Sequence, residues 1–194
     1  MKVRIFLAPL MLVVACTAMA AYVQQADDKN LFKQYVEKFG PPGPEHKMLE
    51  PLIGTWNARC KMWTDPSQAP EVSEGTLVRK SILGGRFIHE DFDGRFMNQP
   101  FQGIGTLGYD RAAKNYVCSW IDSLSTAIQL SQGTYDAGVF TFKHEGDCPI
   151  TGKRVRMRDA LRIVSPDEQR MEMFRQLGDE KEARTMEIVL TRAK

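Results

Sequence analysis

The sequence lacks an excess of charge of either sign. It contains 26 lysines and arginines against 24 aspartates and glutamates, and only three histidines, His46, His89 and His144. Binding to a phosphate backbone requires a net basic surface, so nucleic acid is excluded as an expected partner. So few histidines provide few ligands for a metal ion. The group His89, Asp91 and Asp93 is better explained as an exposed strand face. We therefore predict no metal site and no cofactor.

Motifs of common enzyme classes are also missing. G-x-S-x-G, H-E-x-x-H, the P-loop and C-x-x-C-H do not occur in the sequence. Residues 103–108 satisfy G-x-G-x-x-G, but a dinucleotide site needs those glycines between a strand and a helix. Here they lie inside one strand pattern and are followed by another. Glycines within a strand indicate sharp curvature or the close approach of another backbone, as in a closing barrel.

Long apolar runs are absent after the first residues of the chain. The run Ile5 to Ala15 is too short to span a bilayer, and Lys2 and Arg4 precede it. This arrangement is typical of a secretory signal peptide, so we expect an exported protein of the periplasm.

The sequence leaves two ways of processing this signal open. Ala18-Met19-Ala20 fits cleavage before Ala21, which makes residues 1–20 the signal peptide. Alternatively, Val13-Val14-Ala15-Cys16 resembles a bacterial lipobox, which would leave Cys16 lipidated in an outer-membrane lipoprotein facing the periplasm. A lipid on Cys16 is the only membrane contact that we predict.

Cysteine is scarce in the exported part. Cys60, Cys118 and Cys148 remain after processing, an odd number, so at least one thiol is free or pairs between chains. Cys60 and Cys118 share strand faces with aromatic residues. We interpret both as small buried residues, since no Cys-His pairing can be identified.

The remaining chain is rich in period-two alternation of apolar and polar residues, which is typical of β-strands. Residues 21–43 are expected to hold a helix over 28–39 and a proline-rich linker, and residues 44–194 the main domain, which begins with a short second helix. Ten strands are predicted, at about 54–64, 73–83, 86–94, 100–109, 115–123, 126–133, 138–145, 153–164, 169–177 and 184–192. Either a two-sheet sandwich or a closed antiparallel up-and-down β-barrel fits. We favour the all-β barrel because a meander of neighbours closes without exposed edges.

Several short motifs resemble a known family. Leu52-Ile53-Gly54-Thr55-Trp56 is similar to the L-x-G-x-W opening of the calycins, the lipocalin and fatty-acid-binding superfamily. Five further motifs accompany this opening: Gly84-Gly85-Arg86-Phe87, Pro100-Phe101-Gln102-Gly103, Leu107-Gly108-Tyr109-Asp110, Trp120-Ile121-Asp122 and Thr126. Together with Gly54-Thr55-Trp56 they resemble the bacterial domain-of-unknown-function family DUF1579, and the resemblance covers residues 43 to 192. The resemblance implies a calycin-like barrel with Trp56 packed across one end. It implies no established activity.

The eighth predicted strand separates the two faces of the barrel wall most clearly. Its four arginines, at 154, 156, 158 and 162, lie on one side, which we expect to be solvated. Asp159 then points inward, which is costly unless it is paired. With a three-residue loop at 165–167, Arg175 falls opposite Met157 and diagonal to Asp159, so we predict an internal Asp159–Arg175 ion pair. This pair either only supports the fold or allows Arg175 to hold an anionic head group, as the interior arginine of fatty-acid-binding calycins does.

The other inward positions are large and apolar, which favours a site for a small apolar ligand. The candidate ligand-binding residues are Trp56, Trp120, Asp122, Phe140, Phe142, Met157, Asp159, Met173, Arg175 and Met186. The alternatives are an enzyme that acts on such a ligand, with Asp122, Asp159 or His144 as acid or base, and a filled barrel that serves as an envelope scaffold. No catalytic residue is assigned, and the oligomeric state is left open.

Overall fold

The computed structural model describes residues 28–194. The predicted signal peptide, its cleavage site and Cys16 lie outside these residues. The chain divides into two compact units, Met1–Pro41 and Pro42–Lys194. In the first unit, α1 (Asp28–Phe39) coincides with the predicted amphipathic helix, and its Tyr35 and Phe39 rings lie 5.2 Å apart. Within the described range no helix has both the length and the apolar character needed to cross a membrane.

The second unit contains two short helical segments followed by ten strands. The segments are α2 (Pro44–Lys47) and a 3₁₀ helix (Glu50–Leu52). The strands are β1 (Gly54–Met62), β2 (Glu71–Ile82), β3 (Phe87–Phe96), β4 (Gln99–Asp110), β5 (Asn115–Asp122), β6 (Gln129–Asp136), β7 (Val139–Asp147), β8 (Arg154–Ser165), β9 (Glu168–Leu177) and β10 (Ala183–Arg192). Each of the ten predicted strands is therefore present.

The strands form a closed antiparallel barrel in which every strand pairs with its neighbours in sequence. Closure depends on β1, which pairs with β2 on one side and with β10 on the other. The β1–β10 register runs from Trp56 opposite Arg192 to Met62 opposite Met186. The predicted up-and-down barrel is confirmed, and the sandwich is not formed.

One end of the barrel is closed by the segments that precede β1. Leu49 and Leu52 are almost fully buried and belong to a core cluster with Phe140, Leu107 and Leu161. The Tyr116 hydroxyl donates a hydrogen bond to the Glu45 carbonyl oxygen at 2.9 Å, which ties α2 to the barrel wall. Apolar burial of this kind is the main stabilising contribution in a domain of this size.

The largest difference from the predicted boundaries is at β6, which begins at Gln129 instead of about 126. Asp122 Oδ1 accepts a hydrogen bond from the Leu124 amide at 2.9 Å, and Ser125 Oγ accepts one from the Ala127 amide at 3.3 Å. These side chains stabilise local turns instead of strand pairing. The loop between β5 and β6 is therefore longer than the apolar pattern suggests.

Candidate ligand-binding chamber

The half of the barrel next to α2 is packed with side chains. Trp56 and Phe140 are fully buried there, and Phe142 is 5% exposed. A second cluster around Trp56 contains Ala58, Leu77 and Leu190. Three of the candidate ligand-binding residues, Trp56, Phe140 and Phe142, therefore belong to the packed half of the interior.

The opposite half differs, because its inward-facing side chains remain partly exposed to solvent. Met157, Met173 and Met186 alternate with outward residues on β8, β9 and β10, yet each is only half-buried. We call this partly exposed part of the inner face the chamber. It is defined by seven inner-face residues: Trp120, His144, Met157, Asp159, Met173, Arg175 and Met186.

Trp120 forms one wall of the chamber, and its ring lies against β4 at two positions that are occupied by glycine. Trp120 on β5 lies opposite Gly105, and a Cβ atom at Gly103 or Gly105 would crowd its indole ring. The indole Nε1 donates to Asp122 Oδ2 at 3.2 Å, which holds the ring on the glycines. The G-x-G-x-x-G match is thus confirmed to lie within a strand, and an aromatic ring rather than a backbone approaches these glycines.

A buried polar network lies between the packed half and the chamber. Arg79 Nε donates to Glu90 Oε1 at 2.5 Å, and Arg79 Nη1 donates to Gln169 Oε1 at 2.6 Å. Gln169 Nε2 donates in turn to the Pro51 carbonyl oxygen at 3.0 Å. All three side chains belong to buried residues. The network joins β2, β3 and β9 to the closed end through hydrogen bonds.

The sequence analysis missed this network, although a signal was present. Glu90 lies between Ile88 and Phe92 on one face of β3, and Arg79 follows Leu77 on one face of β2. A charge flanked by apolar residues at i±2 indicates an inward position. Arg79 and Glu90 are direct cross-strand partners, so a correct register would have paired them.

Asp159 lies inside the barrel as predicted, but the predicted Asp159–Arg175 ion pair is not formed. Among the described residues, no group donates a hydrogen bond to Asp159 Oδ1. Burial raises the pKa of this carboxyl to about 6, and the charges of His144 and Arg158 lower it only in part. Asp159 is thus a largely buried carboxyl with one oxygen left unsatisfied.

The register that led to the ion-pair prediction is nevertheless correct. Arg175 lies opposite Met157, and Asp159 lies opposite Met173. The reason for the missing pair is depth, because Arg175 is exposed at the barrel mouth while Asp159 is inside. A guanidinium at the rim keeps its hydration, whereas moving it inward to reach the carboxylate would cost desolvation.

The remaining candidate groups have local structural partners. His144 Nδ1 lies 3.0 Å from the Leu130 carbonyl oxygen, at the start of β6. Asp122 accepts hydrogen bonds from Trp120 and from the Leu124 amide. Cys60, Cys118 and Cys148 are free thiols, and burial raises the pKa of Cys60 to about 11 and of Cys118 to about 12. Cys60 is buried, as predicted, whereas Cys118 is only partly buried, and the raised pKa of both thiols keeps them protonated.

Two pockets lie outside the barrel interior. One, of about 430 Å³, lies between α2 and the β2–β3 turn and is lined by residues such as His46 and Gly84. The other, of about 650 Å³, lies on the outer face of β1, β2 and β10 and includes Arg59 and Glu74. Neither contains Trp120, Asp159 or the chamber methionines.

The family of this chain is identified from the similarity of its sequence to known protein families. A family described as proteins of unknown function, DUF1579, matches residues 41–192, which include α2, the 3₁₀ helix and all ten strands. The chain belongs to the DUF1579 family. None of the curated proteins that were compared with this DUF1579 chain matches it.

A solved crystal structure supports the fold of this DUF1579 protein. The crystal structure of Rv2717c from M. tuberculosis is similar with a TM-score of 0.56 at 18% sequence identity, and the match covers 79% of this chain and 100% of that one. At this identity the likeness shows the fold alone. A de novo designed fluorescence-activating β-barrel gives a TM-score of 0.41 at 16% identity, with 73% of this chain and 93% of that one covered.

Proposed function

We propose that this DUF1579 protein is an exported, lipocalin-like barrel that binds a small, largely apolar ligand in the chamber. The observation that carries the proposal is the partial exposure of inward-facing methionines in a barrel whose other half is densely packed. Apolar side chains that line an open concave site favour an apolar ligand, since its burial removes their surface from water. Methionine also adapts to ligands of irregular shape.

A titration with N-phenyl-1-naphthylamine, a neutral apolar fluorophore, tests this proposal. We expect its emission to increase and shift to the blue when it enters the chamber. The matched variants are Met173→Trp, which adds volume inside the chamber, and Gln176→Trp, which adds the same side chain on the outer face of the same strand. Met173→Trp should weaken binding at least tenfold, and Gln176→Trp should leave it unchanged.

Two results would contradict the proposal. If the wild-type protein does not bind the probe, the barrel interior is filled and the scaffold alternative is favoured. If both tryptophan variants bind the probe as the wild type does, the probe occupies a surface outside the chamber.

Export is the second part of the proposal, and it depends on the first residues of the chain. Lys2 and Arg4 before a short apolar run support a signal peptide. A Cys16→Ser variant, compared with wild type by detergent partitioning, distinguishes the two processing routes. Loss of the detergent-phase fraction would establish a lipoprotein, whereas unchanged partitioning would establish simple cleavage. Retention of the full-length chain in the cytoplasm would contradict export altogether.

One observation favours a second function, in which the bound ligand is chemically changed. Asp159 is a carboxyl inside an open chamber with a pKa raised to about 6, and His144 lies near enough to lower that pKa. Perturbed carboxyls in clefts are candidate general acids or bases. Incubation of wild-type and Asp159→Asn protein with a host lipid extract, followed by mass spectrometry, tests this function. A new product formed by the wild type alone would support an enzyme, and an unaltered extract would support a binding protein.

A further inference from the structure

The inner face of the barrel carries one carboxyl that the described residues do not fully satisfy. Arg79 and Glu90 form an ion pair at 2.5 Å, so their charges cancel. Asp159 lies on the same inner face, and its Oδ1 atom has no hydrogen-bond partner among residues 28–194. A carboxylate removed from water without new donors is strongly unfavourable. The chamber is therefore left with an acceptor that the described part of the chain does not satisfy.

The neighbours of Asp159 explain why residues 28–194 supply no donor to its Oδ1 atom. Its cross-strand partners are Phe142 on β7 and Met173 on β9, and neither side chain can donate a hydrogen bond. Cys118, across the interior, is near enough for Asp159 to influence its thiol, but a thiol is only a weak donor. His144 on the same face is also close to Asp159, but its Nδ1 lies 3.0 Å from the Leu130 carbonyl oxygen and it makes no hydrogen bond to Asp159 Oδ1. A donor to this oxygen must therefore come from solvent or from a molecule that enters the chamber.

We propose that Asp159 accepts a hydrogen bond from the ligand, and that the chamber selects apolar molecules that carry a hydrogen-bond donor, best of all a protonated amine. This inference rests on the proposed ligand-binding function and adds the chemistry of the ligand's polar end. A charge-assisted hydrogen bond to a carboxylate is about twice as strong as a neutral one, so an ammonium ranks above a hydroxyl. Trp120 on the inner face adds an aromatic ring, which also favours a cation.

The competing arrangement is an anionic head group held by Arg175. Arg175 is exposed at the rim, so an anion there would remain hydrated and its attraction would be screened by salt. An anion placed deeper would approach Asp159 and be repelled by it. The geometry therefore disfavours a carboxylate inside the chamber.

Three probes that have the same number of carbon atoms and differ in their polar end group test the inference: decylamine, decanol and decanoate. Each is titrated as a competitor of N-phenyl-1-naphthylamine at about pH 8, where alkylammonium groups remain protonated. We expect decylamine to bind at least about tenfold more tightly than decanoate, with decanol between them. This order in the wild-type protein requires no variant.

Two variants assign the preference to one residue. Asp159→Asn should reduce the difference between decylamine and decanoate to less than about threefold. The matched control is Glu172→Gln, because Glu172 is a carboxyl on the outer face of β9, next to Met173 in sequence, and pairs with Arg184 at 3.0 Å. It should retain the wild-type order.

The outcomes separate this inference from the proposed function. Equal binding of the three probes, tighter binding of decanoate, or a preference for decylamine that survives Asp159→Asn would overturn the inference and leave an apolar binding protein. If neither the fluorophore nor any decyl probe binds, the proposed function fails, and the inference fails with it.

Discussion

Arg192 at the end of the last strand lies over the indole of Trp56 on the first strand, with the guanidinium carbon 4.3 Å from the ring centroid. The same guanidinium donates to the Ile53 carbonyl oxygen at 3.1 Å and to the Pro166 carbonyl oxygen at 2.9 Å. Gly54, with a φ of 142°, permits this approach, since a Cβ atom there would overlap Arg192 Nη1. The glycine and the tryptophan of the opening motif therefore act together to close the barrel.

Replacing Arg192 should weaken barrel closure. Arg192→Ala removes two hydrogen bonds from a charged donor, one cation–π contact and an exposed ion pair with Asp167, so we expect the free energy of unfolding to fall by about 2 to 3 kcal/mol. Urea denaturation measures this change. Arg170→Ala is the control, because Arg170 is exposed and forms an ion pair with Glu168 on the surface, and it should cost less than about 0.5 kcal/mol. Equal costs for the two variants would show that Arg192 has no special role.

The buried Arg79–Glu90 pair should show strong coupling. Removing one partner leaves an uncompensated buried charge, so Arg79→Met and Glu90→Leu should each reduce the free energy of unfolding by about 3 to 5 kcal/mol. The double variant should lose less than the sum of the two, because no charge is then left unpaired. If the loss of unfolding free energy in the double variant equals the sum of the losses in the two single variants, a direct ion pair is contradicted.

The contact between Trp120 and the glycines of β4 predicts a steric effect. Gly103→Ala places a methyl group where the indole lies, and we expect it to destabilise the fold by about 1 to 3 kcal/mol. Gly146→Ala in β7 is the matched control, since the nearest atom to its added Cβ is 3.7 Å away. Trp120→Leu should largely suppress the effect of Gly103→Ala. If both alanine variants have equal thermal stability, the indole is not held on β4.

Asp159 predicts a pH-dependent difference between the wild type and Asp159→Asn. The pKa of Asp159 is raised from 3.8 to about 6, so between about pH 4 and pH 6 the folded protein binds more protons than the unfolded chain. As the pH rises through this window, the free energy of unfolding of the wild type therefore falls relative to that of the variant. The shift of the pKa from 3.8 to about 6 corresponds to about 3 kcal/mol of unfolding free energy at pH 7.5. Asp159→Asn should therefore be more stable than the wild type at pH 7.5, and the two proteins should be nearly equal in stability at pH 4.

Urea denaturation of both proteins across this pH range measures the difference. Because the comparison is between two proteins, the carboxylates whose pKa is lowered by surface arginines and lysines, such as Glu145 and Glu187, contribute equally and cancel. A difference that does not change with pH would show that Asp159 titrates normally and is not buried.

The sequence contained most of the information about the fold, because strand alternation is a local property. In β8 the outward arginines and inward Met157 and Leu161 identify both faces, and the β8–β9 register was predicted correctly. Alternation does not determine how far along the barrel axis a side chain lies. For that reason Arg175 was assigned to the right face but to the wrong environment.

The site was less accessible to sequence reasoning, since it depends on contacts between distant segments. Gln169 reaches Pro51 across more than a hundred residues, and its buried position is not visible in a local pattern. The packing of Trp120 against Gly103 likewise requires the β4–β5 register. The missing partner of Asp159 could be recognised only after its neighbours Phe142 and Met173 were known.

Native mass spectrometry of the protein purified from its own host tests the central claim most directly. We expect a bound molecule of small mass that is released on denaturation and that, after extraction, is apolar and carries an amine or a hydroxyl group. A mass equal to that of the polypeptide alone, in a preparation that also fails to take up N-phenyl-1-naphthylamine, would contradict the existence of a binding chamber.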